Sequence, residues 1–493
     1  MKLLLRGHSY QYAVEQSLTS FFPGERPVYE PAAPGEDCAK VSLRKSPTCW
    51  TAVTVLEYGG KRAVRAARAA LAEDLDPLEL EREKQKLVKL SFFKAAQAVT
   101  GAAPAWGALT GIRPGKVAER ELLAGRTAAE TDRILKEVYS VSPERRRLCI
   151  ETAQAGITAA RDLLPRDIAV YIGIPFCPTR CAYCSFVSNS VEKSFHLVEP
   201  YLAALLAEVR SGGEMVRRLG LRVRSFYMGG GTPTTLSAAQ MDRLLTAFEQ
   251  AFDLSACGEL TVEAGRPDTI DPEKLAVLRR HGVTRVSINP QTMEDHVLRA
   301  IGRKHSADDI RRAMAQVRAA GFDQVTRDLI AGLPEDSPAG FRRTLDEVLT
   351  LGANNITVHT LSLKKGSRIT LEGLAIPGPE AVGDMLDYSL EALRGAGFVP
   401  YYLYRQKYMS GSFENTGWCM PGQENLYNIY IMEELCSILS LGAGGSTKMV
   451  DYPIGHIERA FQLKYPLEYI QRPEKAAANQ AAFAAFYEHR KGT

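Results

Sequence analysis

Six apolar runs, Ala169–Ile174, Ser225–Met228, Leu260–Glu263, Arg285–Ile288, Val325–Ile330 and Ile356–Leu361, alternate with helical stretches. The intervening segments Pro200–Arg218, Ala238–Ala251, Pro272–Arg280, Ala307–Ala319 and Gly340–Leu351 read as helices. Strands separated by helices pair in parallel through right-handed crossovers. Six such units predict an α/β core, a partial (β/α)6 TIM-type barrel. In such a barrel chemistry gathers at the carboxyl ends of the strands. Residues 166–375 form this core, with an N-terminal α/β extension over 1–165 and a C-terminal α+β region over 376–493.

The first strand runs into Ile174-Pro175-Phe176-Cys177-Pro178-Thr179-Arg180-Cys181-Ala182-Tyr183-Cys184. Pro175 ends it, because proline donates no hydrogen bond to a sheet. The spacing C-x3-C-x2-C then puts three thiols on one loop. Soft thiolates select iron–sulfur clusters, zinc or copper. A structural zinc ion takes four ligands, and no fourth cysteine or histidine stands beside these three. A cubane held by three cysteines keeps one iron for an outside ligand.

The other strand ends carry polar residues of matching kinds. Gly229-Gly230-Gly231-Thr232-Pro233 follows the second strand; glycines let a ligand approach the backbone, and Thr232 adds a hydroxyl. Glu263 ends the third strand and Gln291 follows the fourth. Arg303 lies in Ile301-Gly302-Arg303-Lys304-His305, and Asp328 lies in the fifth strand. An amide suits a sugar or carboxylate, a guanidinium forks onto a carboxylate, and a carboxylate accepts from ribose hydroxyls.

Composition narrows the class. A net charge of +4 is too small to argue for nucleic acid. No apolar run approaches the roughly 20 residues of a membrane helix, and the amino terminus, with Arg6 so early, is no signal peptide. Nine cysteines, three of them clustered, do not read as a disulfide framework; a reducing cytoplasm is expected. Thr110–Lys116 fails the phosphate-loop pattern because Val117 stands where Ser or Thr belongs. Cys38, Cys49 and Cys149 read as inert thiols, and a second metal site at Cys419 and Cys436 is not expected.

The cysteine loop resembles the radical S-adenosylmethionine (SAM) superfamily. The surrounding phrases are similar to the oxygen-independent coproporphyrinogen III dehydrogenases (oxidases), and the long N-terminal extension to their HemZ-type branch. The resemblance implies a [4Fe-4S] cluster on Cys177, Cys181 and Cys184, the fourth iron taking the amine and carboxylate of SAM. It implies SAM contacts at Gly230, Gly231, Thr232, Glu263, Gln291, Arg303 and Asp328. It also places Tyr171 near the sulfonium and Tyr183 against adenine. Two departures stand out. The fourth cysteine that the dehydrogenases carry just beyond the cluster is missing, since Ser185-Phe186 follows Cys184. Their histidine two residues after the first tyrosine is Gly173 here.

The function implied is anaerobic oxidative decarboxylation of coproporphyrinogen III propionates to vinyls, giving protoporphyrinogen IX, with an electron donor such as flavodoxin or ferredoxin. Arg405 is a guess for a propionate partner. Aromatic and amide residues in Phe413–Trp418 and Gln423–Ile429 suit a flat pyrrolic substrate. Leu441–Ser446 reads as a flexible turn. The alternatives are a haem-binding chaperone of the same superfamily, and a radical SAM methyltransferase or haem-opening enzyme.

Overall fold

The computed structural model describes residues 1–70, 76–184, 189–190, 194–364, 366–406, 409–452 and 455–489. The chain divides into two compact units, one of Met1–Ile150 with Arg405–Phe413, the other of Glu151–Tyr404 with Glu414–Thr493.

The first unit holds a sheet of β1 (Lys2–Arg6), β2 (Cys38–Lys45), β3 (Trp50–Tyr58) and β4 (Lys61–Ala69), in that order. β1 runs parallel to β2, and the rest are antiparallel hairpins. Helices Gln11–Phe21 and Pro77–Thr100 contribute Val14, Leu18, Leu87, Phe92 and Phe93 to a core shared with Leu3, Val41 and Leu56. Asp76 caps the longer helix by accepting from the amides of Leu78 and Glu79. β4 reads Lys-Arg-Ala-Val-Arg-Ala-Ala-Arg-Ala, a helix-favouring composition, yet every residue pairs with β3. Tertiary pairing outweighs local preference there.

Arg405 belongs to this unit and is not available as a carboxylate partner. Its guanidinium donates to the carbonyls of Leu109, at 2.6 Å, and Ser412, and its amide to Ile112 at 2.7 Å. Buried at 8% exposure, it staples the 405–413 segment to the 109–112 loop.

The second unit is built on β5 (Asp167–Ile174). A short parallel pair follows, β6 (Phe176–Cys177) with β7 (Asn189–Ser190). Then come β8 (Arg222–Gly230), β9 (Glu259–Glu263), β10 (Arg285–Ser287), β11 (Gln324–Ala331) and β12 (Asn355–Thr360). β5, β8, β9, β10, β11 and β12 are parallel neighbours in chain order. That is the arrangement of a partial (β/α)6 barrel. The crossover helices after β8, β10 and β11 begin at polar caps: Ser237 and Ser306 form capping boxes with Gln240 and Asp309, and Ser337 accepts from the Gly340 amide.

The C-terminal chain lengthens both edges of this sheet. β13 (Val399–Tyr404) and β14 (Asn415–Cys419) add antiparallel strands outside β12. β15 (Ser437–Leu441) pairs in parallel with β5, and β16 (Ser446–Asp451) and β17 (His456–Phe461) continue the edge. Eleven strands thus share one sheet. The 442–445 turn is pinned rather than flexible. Glu208 accepts from the Gly442 amide at 2.8 Å, and the Tyr201 hydroxyl accepts from the Ala443 amide at 2.9 Å.

The segments proposed for substrate stacking serve mostly as core. Trp418 is fully buried, with the Arg394 guanidinium 5.3 Å from its ring centre. Asn425 caps the helix Leu426–Glu433 by accepting from the Asn428 amide. Cys419 and Cys436 are buried in the same cluster, and burial pushes the Cys436 thiol up to about 12.

Candidate functional site

The site forms where β5, β8, β9, β10 and β11 end, because the sheet register stacks their side chains in layers. Tyr171 stands opposite Tyr227, and Tyr227 opposite Thr261. The Leu426–Glu433 helix lifts Tyr427 against that layer. Tyr227 and Tyr427 stack with ring centres 4.5 Å apart, and Tyr171 lies 6.0 Å from Tyr427 and 6.2 Å from Tyr227. The three rings floor the space beneath the strand ends.

Two residues further along the strands, Gly173 pairs with Gly229. A Cβ on Gly229 would sit 2.9 Å from the Glu263 carboxyl carbon, so the missing side chain is what gives Glu263 its place. Gly173 is closed from the other side, where a Cβ would meet the Ala443 carbonyl at 2.8 Å. The pinned 442–445 turn therefore explains why this chain holds no histidine there. Gly230 adopts φ +109, open only to glycine at low cost. A Cβ on Gly231 would lie 2.5 Å from the Phe176 carbonyl. The Gly231 and Thr232 amides instead donate to the Ile174 and Phe176 carbonyls, each at 2.7 Å. The glycine run is thus laced to the root of the cysteine loop, and Thr232 Oγ1 lies 3.5 Å from Cys177 Sγ.

Glu263 accepts from the Tyr227 hydroxyl at 2.6 Å. Burial pushes its carboxyl up to about 7; the Tyr227 and Gly230 hydrogen bonds oppose this, and nearby Asp328 adds to it. Asp328 lies 3.8 Å from His359 Nε2. Gln291, buried at φ +66, is held in this uncommon backbone region by β11: its amide donates to the Asp328 carbonyl at 2.9 Å, and its carbonyl accepts from Ile330 at 3.1 Å.

The cysteine loop is held from several directions. Ala182 donates to the Ile301 carbonyl at 2.9 Å and accepts from the Ile369 amide at 3.2 Å; Cys184 donates to the Cys181 carbonyl. Arg303, 6% exposed, donates to the Asn289 carbonyl at 2.7 Å and the Tyr183 hydroxyl at 3.0 Å. Burial works against its charge, but Tyr183 and Cys181 beside it outweigh that and keep it protonated. The fork expected to meet a carboxylate is therefore turned toward protein acceptors, which leaves Nε as its buried unpaired donor. Asn289 Oδ1 is a buried unpaired acceptor.

These features fit the group that the sequence implies. All nine cysteines are thiols outside disulfides, and Cys177, Cys181 and Cys184 share one braced loop. Among the described residues no three His, Cys, Asp or Glu side chains close on a single ion. A cubane does not need that convergence, because each thiolate takes a different iron. The glycine cradle, the Arg303 donor and the Asn289 acceptor provide for a ligand with both polar ends and a backbone-hugging part. Sequence reasoning missed Tyr227, for which the period of two in Tyr227–Gly229 on β8 was the signal; it named Gly229 only within the glycine run, Asn289 only as the residue before Pro290 and Gln291, and Tyr427 only within Gln423–Ile429.

Among the described residues, no helix is long and apolar enough to cross a membrane. A family model described as the radical SAM superfamily matches residues 171–348. The oxygen-independent coproporphyrinogen-III oxidase-like protein HemZ of Bacillus subtilis (strain 168) is 38% identical over 406 residues, 81% of this chain and 81% of that protein. The heme chaperone HemW of Lactococcus lactis subsp. lactis (strain IL1403) is 29% identical over 307 residues, 60% of this chain and 76% of that protein. The solved structure of coproporphyrinogen III oxidase (HemN) from Escherichia coli, described as a radical SAM enzyme, covers 68% of this chain and 82% of its own, at 20% identity and a TM-score of 0.47.

Proposed function

The chain belongs to the radical SAM superfamily and, within it, to the family of oxygen-independent coproporphyrinogen-III oxidase-like proteins; from that premise we propose that it decarboxylates the propionates of coproporphyrinogen III to vinyls, giving protoporphyrinogen IX. Members of the superfamily use a [4Fe-4S] cluster and SAM, which when bound supply a 5′-deoxyadenosyl radical. Cys177, Cys181 and Cys184 would hold the cluster. Gly230, Gly231, Thr232, Glu263, Gln291, Arg303 through its Nε, and Asp328 would hold SAM, with Tyr171 beneath it and Tyr183 beside it.

The chain's own residues then orient and enclose the substrate. Tyr171, Tyr227 and Tyr427 stack on one another beneath the strand ends, and this layer would exclude water from below. Glu263, in its ionised form, would meet the cationic end of SAM. For each propionate a hydrogen atom would leave the carbon attached to the pyrrole ring, so that loss of carbon dioxide from the neighbouring carbon forms the vinyl double bond. Carbon dioxide departs, and the remaining electron passes to an external one-electron acceptor. An electron for the cluster, when bound, would come from a donor such as flavodoxin or ferredoxin.

The observation that supports this reading is the meeting of the cysteine loop, Glu263 and Asp328 over stacked tyrosines at one set of strand ends. The test is an anaerobic assay with coproporphyrinogen III, SAM and a reductant. Carbon dioxide and a vinyl product are expected, together with 5′-deoxyadenosine. A second reading, a haem-binding chaperone, is favoured by Ser185 in place of the extra cysteine and by the likeness to HemW. Tight haem binding without carbon dioxide would select it.

A further inference from the structure

Thr179 lies midway between Cys177 and Cys181, and its position is set by a residue outside the proposed cofactor contacts. Arg266, in the turn after β9, is 3% exposed. Its Nε and Nη2 fork onto the Asp268 carboxylate, both at 3.1 Å. Its remaining nitrogen, Nη1, reaches into the cysteine loop and donates to Thr179 Oγ1 at 2.8 Å and the Thr179 carbonyl at 3.2 Å. Thr179 Oγ1 in turn donates to the Gly302 carbonyl at 3.2 Å, one residue before Arg303.

The turn that carries Arg266 is itself anchored. Thr269 Oγ1 lies 2.6 Å from Thr234 Oγ1, in the loop after the glycine run. Lys274 Nζ donates to the carbonyls of Thr234 and Thr269 at 2.9 and 3.0 Å. Arg266 is therefore a rigid, fully engaged guanidinium that ties together the loops following β5, β9 and β10. A buried guanidinium is tolerated only with its countercharge in place, and the bidentate fork is the strongest form of that pairing. Such bracing is what holds a binding loop to within fractions of an ångström before its ligand arrives.

We propose that Arg266, seated by Asp268, is a positioning residue for the cysteine loop: it fixes Thr179, and with it the separation of Cys177 and Cys181, ahead of cluster binding. This rests on the reading that those cysteines hold the cluster.

The test uses the full chain, reconstituted anaerobically, as wild type and as R266Q, R266K, T179V and R266Q/T179V. The readouts are iron and sulfide per chain, the rate of bleaching by a chelator, and the electron paramagnetic resonance of the reduced cluster with and without SAM. R266Q is expected to bleach about tenfold faster, the factor one charge-assisted hydrogen bond supports, and to broaden the SAM-induced signal. R266K, with a donor that reaches one acceptor, should recover part of the loss. R266Q/T179V should bleach little faster than either single variant, because the two act through one contact. Should R266Q not fold, T179V alone must still bleach faster and show the altered signal. Wild-type bleaching and spectra in R266Q, or fully additive effects, would overturn the proposal. A wild type that binds no cluster would instead overturn the reading beneath it.

Discussion

The Tyr227 hydroxyl donates to Glu263 across 2.6 Å, joining a ring of the tyrosine floor to the carboxylate above it. Burial pushes the Glu263 carboxyl up to about 7, within the working range of a cell.

With Glu263 proposed to meet the SAM cation in its ionised form, affinity for SAM should rise with pH through about 7 and level off above it. Glu263→Gln should abolish that dependence and weaken binding. Tyr227→Phe removes the donor that lowers the Glu263 value and should move the midpoint upward. Anaerobic calorimetry from pH 6 to 8.5 reads all three. The apo protein obeys the opposite sign. A carboxyl with a raised folded value stabilises below its unfolded value of about 4.5, and that contribution is lost as pH rises to about 7. Glu263→Gln should therefore flatten apo stability across this window.

Gly231→Ala places a methyl group 2.5 Å from the Phe176 carbonyl and should push the glycine loop off the strand that delivers Cys177. SAM affinity is expected to fall at least about tenfold, with about 1–3 kcal/mol lost in stability. Equilibrium dialysis and thermal unfolding separate the two effects.

Gly173→Ala tests the pinned turn. The new Cβ would meet the Ala443 carbonyl at 2.8 Å, against a turn held by Glu208 and Tyr201. A cost of about 1–3 kcal/mol is expected from urea unfolding of the apo protein. A Gly173→His variant should be destabilised more.

The parallel core was legible because each strand is a short buried run closed by Pro, Gly or a polar residue, and the crossover helices after β8, β9, β10 and β11 carry caps at Ser237, Asp271, Ser306 and Ser337. The cysteine loop and the strand-end polar residues were legible for the same reason: they fall at fixed offsets from those runs. What the sequence concealed are contacts made at long range. Arg266 in Gly-Arg-Pro-Asp reads as an ordinary turn, and nothing local reveals that it reaches Thr179, 87 positions earlier. Arg405 reads as a free cation, but its guanidinium is spent on the carbonyl of Leu109, almost 300 positions away, and on that of Ser412. β4 shows that composition can point to the wrong element when a hairpin partner decides the backbone.

The central claim is that Cys177, Cys181 and Cys184 hold an iron–sulfur cubane. Iron and sulfide analysis of anaerobically purified protein, alongside Cys181→Ala, tests it most directly. The account predicts a brown wild type with about four iron atoms per chain and a colourless variant. A colourless, iron-poor wild type, or a variant that keeps wild-type iron, would contradict it.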